Sequence, residues 1–138
     1  MRCLINLKSG LAALILSASG VSATALAPLE DNARIKAEFL AAAVGDEIRK
    51  NCPTISARFW RVWTKANALE DYALELGYSK ADIKAMRENP TAKAQLKAMR
   101  DAYLAANGVT KGDSDSYCRL GHEEIEKNSL TGWLLRAN

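Results

Sequence analysis

Histidine is nearly missing from this chain: His122 is the only one among 138 residues. That excludes a multi-histidine metal site, and no nucleophile elbow accompanies the lone imidazole. There is no glycine-rich phosphate loop and no Cys-x-x-Cys redox pair. The alternation of apolar and polar residues that marks a half-buried strand is absent, as is any βαβ rhythm. After residue 27 no apolar stretch approaches the ~20 residues that span a bilayer. Acids are absent from the first 29 residues, Glu30 being the first. With Arg2 and Lys8 set aside, the rest of the chain carries 17 basic against 16 acidic side chains. So balanced a chain has no electrostatic footprint for nucleic acid. These absences leave no cofactor, no metal site and no catalytic constellation, and the expectation is a protein that is not an enzyme.

What is present begins with the N-terminus. Arg2 and Lys8 precede an apolar centre at residues 11–16, and small residues follow up to Ala27. Charge, apolar core and small-residue end are the three parts of a secretory signal. Residues 1–25 are read as that signal, cleaved after Ala25, with Ala23 and Ala27 as alternative sites. The Ser-, Gly- and Thr-rich stretch after Leu16 argues against a retained membrane anchor. The mature chain, residues 26–138, has one-domain length, and its expected location is the periplasm or the exterior.

Loss of the signal removes Cys3 and leaves Cys52 and Cys118. Disulfides persist in the periplasm and outside the cell, so the expectation is one structural bridge. Two buried free thiols are the alternative.

The mature chain reads as helical throughout: an all-α single-domain bundle of about five helices, stapled by one disulfide. Asp31 or Asn32 caps a first helix carrying Leu40, Val44 and Ile48. Pro53 stops it, because the residue before a proline is pushed out of the helical region. Thr54 is expected to cap a second helix whose apolar stripe is Ile55, Phe59, Val62, Ala66, Leu69, Ala73 and Leu76. Gly77 ends it. Ser79 and Asp82 form a variant capping box for a short third helix. Pro90 starts or kinks a fourth, with Leu96, Met99, Tyr103 and Leu104, ending at Gly108. A fifth runs from near Asp115 to Asn128, and Ser129 caps a last turn holding Leu130, Trp133, Leu134 and Leu135.

Few residues are candidates for chemistry. His122 falls on a helical wheel with Cys118, Gly121 and Ile125, on the face the bridge turns inward, with Glu126 in reach. It is read as a packed or partly exposed histidine and not as a ligand. Glu123, Glu124 and Glu126 read as a solvated face. Trp63 borders the stripe of the second helix and is expected in the core. Trp60 lies some 140° from the stripe centre; it is either an exposed partner anchor or a ring covered by another element. Arg58, Arg61 and Lys65 form a modest basic patch beside it.

Several blocks carry a family resemblance. They are 45–53 (Gly-Asp-Glu-Ile-Arg-Lys-Asn-Cys-Pro), 76–79 (Leu-Gly-Tyr-Ser), 117–121 (Tyr-Cys-Arg-Leu-Gly) and 132–136 (Gly-Trp-Leu-Leu-Arg). Together these resemble a family of small exported alphaproteobacterial proteins, the domain-of-unknown-function family 5333, over essentially the whole mature chain. The resemblance implies a signal peptide, a helical domain with a Cys52–Cys118 bridge, and no assigned activity. It transfers no functional residues. The leading functional expectation is a non-enzymatic interaction module with an unknown protein partner. A periplasmic chaperone, inhibitor or immunity-type protein is the alternative, and a small hydrolytic enzyme built on Glu, Asp and His122 the third.

Overall fold

The structure is a computed structural model that describes residues 25–138, so residues 1–24 of the expected signal peptide lie outside the described residues. A short 3-10 turn, Leu29–Asp31, leads into α1 (Ala33–Asn51). Asn32 caps α1, its side-chain oxygen accepting from the backbone N–H groups of Arg34 and Ile35 at 3.1 Å each. At the other end Cys52 is extended, as its position before Pro53 requires.

Beyond Pro53 the structure departs from the periodicity. Thr54 is not a helix cap. Ile55–Ala57 form a strand, β1, which pairs antiparallel with β2 (Leu135–Ala137) at the far end of the chain. The register sets Ile55 opposite Ala137 and Ala57 opposite Leu135. The sequence pattern gives no hint of this pair because three residues are too few to show alternation, and the partners lie some 80 positions apart. The helix that follows, α2 (Phe59–Glu75), therefore starts late. Its entry is fixed by the Arg58 backbone N–H, which donates to the Leu134 carbonyl at 2.8 Å.

The remaining helices follow their capping signals. Gly77 adopts φ +95° behind α2, and the Ser79–Asp82 box opens α3 (Lys80–Glu88). Pro90 is the first residue of α4 (Pro90–Ala106), capped by Asn89, so the proline begins a helix and does not kink one. Asp113 caps α5 (Ser114–Glu126), and Ser129 caps the short α6 (Leu130–Leu134). Among the described residues the architecture is an all-α bundle of six helices with a two-stranded clasp.

α1 is the central element, packed on α4, α5 and α6. The larger core cluster gathers Val44, Ile48, Ile55, Leu104, Leu120 and Leu135, with Cys52 and Tyr117. The Cys52–Cys118 disulfide is formed there, tying the end of α1 to the second turn of α5. A smaller cluster of Leu29, Ile35, Ala73 and Ile83 holds the opposite end, with Phe39, Leu69 and Met86 against it. α2 packs mainly on α6 and α3, and of the expected stripe residues that lie within α2 only Ala73 is buried.

Candidate interaction surface

The surface is built by the first two turns of α2. Arg58 is fastened to the end of the chain, its Nε donating to the Leu135 carbonyl at 2.9 Å. One turn on, Arg61 donates from Nη1 to the Trp133 carbonyl at 3.0 Å and lies 4.8 Å above the Trp133 ring. Lys65 sits 5.3 Å over the same ring and pairs with Glu38 at 3.0 Å. The three cations expected as a loose basic patch are thus spent inside the fold. They hold one side of α2 against α6 and α1.

That fastening decides what the other side shows. With Arg61 and Lys65 turned inward, a helix of 3.6 residues per turn must turn Trp60 outward. Trp60 is 74% exposed, Phe59 71% and Trp63 57%. The Trp60 and Trp63 rings lie 5.0 Å apart at 34°, a tilted pair on one helix face. The structure therefore places Trp60 at the surface and corrects two sequence expectations, since neither Trp63 nor Phe59 is core. The reason lies upstream. Once β1 takes Ile55 out of the helix, the apolar stripe loses its first member, and α2 meets α6 through its cations. Together the three rings present on the order of 400 Å² of aromatic surface, within the range of apolar patches that are often functional on soluble proteins.

The remaining candidates are elsewhere. His122 is exposed, not turned inward, because the buried stripe of α5 is Tyr117, Leu120, Gly121 and Glu124. The disulfide emerges from the flank of that stripe and does not mark its centre. Glu123 and Glu126 behave as expected of a solvated face, Glu123 pairing with Arg119 at 2.7 Å. Glu124 does not: it is 3% exposed. Its carboxylate accepts from the Tyr103 hydroxyl at 2.5 Å and from the Ser129 hydroxyl, which joins α4, α5 and the cap of α6. Burial, with the Glu124 carboxylate beside it, pushes the Tyr103 hydroxyl up to about 12. Both oxygens are occupied by structural donors, so Glu124 is a lock between helices. Among the described residues no group of three or more His, Cys, Asp or Glu side chains is placed to hold a metal ion.

Sequence reasoning missed Phe59 and Trp63 as surface residues. A signal existed in the spacing: aromatics at 59, 60 and 63, with cations at 61 and 65, put rings and charges on opposite sides of one helix. No helix among the described residues is long and apolar enough to cross a membrane. Comparisons with curated proteins and with solved structures return no match. Residues 27–136 match the family of unknown function DUF5333, from the expected start of the mature chain almost to its end, and the protein belongs to that family.

Proposed function

We propose that this protein is an exported, non-enzymatic interaction module that engages a macromolecular partner through the aromatic tip of α2. One observation carries the reading: Phe59, Trp60 and Trp63 are all more than half exposed on a helix whose opposite side is fastened into the fold. Leaving three large rings in water forfeits apolar burial, and tryptophans in such positions are the commonest energetic anchors of protein interfaces. Two further features support export to the periplasm or the exterior. The first 25 residues have the three-part form of a cleavable signal, and a disulfide such as Cys52–Cys118 persists in oxidising compartments.

The test is Trp60→Ala in natively purified protein. The expected result is unchanged helical circular dichroism and melting temperature, with capture of the partner weakened by ~2 kcal/mol or more. Equal capture by the variant and the parent would remove the basis of the proposal.

A further inference from the structure

α1 turns two faces to two kinds of neighbour. Val44 and Ile48 lie in the main core, whereas Ile35, Phe39 and Ala42 line an open crevice. The crevice, of about 380 Å³, is walled on the other side by Val62, Ala66 and Leu69 of α2. It continues past Phe39 and Met86 into a space of about 160 Å³ lined by Leu96 and Met99 of α4. In the other direction it passes Val62 and Leu134 into a space of about 130 Å³ that ends at Phe59 and Arg49. The first two spaces share Ile35, Phe39 and Met86, and the third shares Ala42, Val62 and Leu134 with the crevice, so the three adjoin as a groove along α1 from Ile35 to Arg49, ~20 Å at 1.5 Å per residue.

Charge is unevenly placed along it. In the middle the ions are paired, Lys65 with Glu38 at 3.0 Å and Arg87 with Glu70 at 3.6 Å. At the α4 end Lys93 pairs with no carboxylate among the described residues, and Lys36 reaches Asp31 only at 3.9 Å. Glu30, the acid lining that end, is engaged by the Asn89 side-chain amide at 3.3 Å. An apolar groove with excess positive charge at one end complements a molecule with a long apolar tail and one anionic head.

We propose that this groove binds a single-chain anionic amphiphile of the long-chain fatty-acid class. Its tail lies between α1 and α2, and its carboxylate lies between Lys36 and Lys93. A partner helix fits less well, because Phe39 and Met86 line both the crevice and the space beyond it and stand at their junction, where a rigid cylinder ~10 Å across would have to lie. A flexible hydrocarbon can bend past the two side chains. The groove runs along the inner side of α2; Phe59 stands at its far end, and Trp60 and Trp63 line none of its three spaces.

The experiment is displacement of a fluorescent polyene fatty acid by palmitate from natively purified, lipid-extracted protein. Saturable binding of one palmitate per chain is expected. Ala42→Trp and Ala66→Trp, at exposed positions on the two walls, should each weaken it by about tenfold or more at unchanged melting temperature. Lys36→Glu combined with Lys93→Glu should weaken palmitate similarly while leaving the uncharged analogue hexadecanol unaffected. Trp60→Ala should leave palmitate binding intact, so failure here is distinguishable from failure of the partner reading. Absence of saturable binding, or binding that survives both groove-filling substitutions, would overturn the proposal. So would capture of an amphipathic helical peptide in place of palmitate. If either tryptophan variant fails to fold, the lysine pair decides alone, and equal loss of palmitate and hexadecanol rejects the placement of the head group.

Discussion

Two residues show how closely α5 and α6 are packed. Gly132 sits where α6 crosses α5 backbone to backbone, and a Cβ there would collide with the Glu124 carbonyl and approach the Ile125 nitrogen to 2.7 Å. Gly132→Ala must push the two helices apart, and overpacking of this kind costs about 1–3 kcal/mol or more; a lowered urea midpoint is the expected outcome. Glu124 is the second. Its removal leaves the hydroxyls of Tyr103 and Ser129 without their shared acceptor. Glu124→Ala should cost about 3 kcal/mol in the same measurement. A pH dependence follows from the raised Tyr103. The folded state holds this proton more tightly than the unfolded chain, so the contribution is complete below pH 10. It is lost as pH climbs from the ordinary tyrosine value of 10.0 to about 12. Tyr103→Phe should therefore show a shallower alkaline fall in stability than the parent, and an identical slope would contradict the assignment.

At the scale of elements, what the sequence revealed depends on how local the cause is. Helix ends were readable because their determinants lie within a few residues: Asn32 before α1, the Ser79–Asp82 box before α3, Asn89-Pro90 before α4 and Ser129 before α6. The disulfide was readable from the signal-like N-terminus, which implied an oxidising compartment, and from the two cysteines left beyond it. The β1–β2 clasp was not, since its cause is a partner at the other end of the chain. That one non-local contact explains the misplacement of α2's start and of Phe59 and Trp63. It also explains why Arg58, Arg61 and Lys65 look like surface charges in sequence yet serve as fasteners in the fold. Glu124 was hidden for a related reason, as a carboxylate in an acidic run gives no sign that two hydroxyls from other helices will cover it. The element-scale consequence can be tested at Arg61. Replacement by Ala removes the Trp133 carbonyl bond and the cation over the ring. The expected loss is about 1–2 kcal/mol, and hydrogen exchange should rise in the first turns of α2 and not in α1.

The whole molecule is held at one end by the disulfide, the clasp and the main core, and more openly at the other, where the groove separates α1 from α2. The bridge joins residues 66 positions apart, and closing a loop of that length contributes on the order of 4 kcal/mol in the chain-entropy account. Cys52→Ser combined with Cys118→Ser should lower the melting temperature substantially while retaining helical circular dichroism. Export has its own check at this scale. The proposal of a cleaved signal predicts that protein recovered from the periplasm begins at Leu26, with Thr24 or Pro28 as the near alternatives, and recovery of the full-length, membrane-bound form would contradict it. The central claim is that the rings on α2 are displayed for a partner and do not belong to the core. The most direct measurement is side-by-side native capture by the parent and by Trp60→Ala, with both melting temperatures recorded. Equal melting temperatures and a strong loss of captured partner are expected. A variant that melts lower by the equivalent of ~3–5 kcal/mol, as loss of a core ring would cause, or one that captures as well as the parent, would contradict the claim.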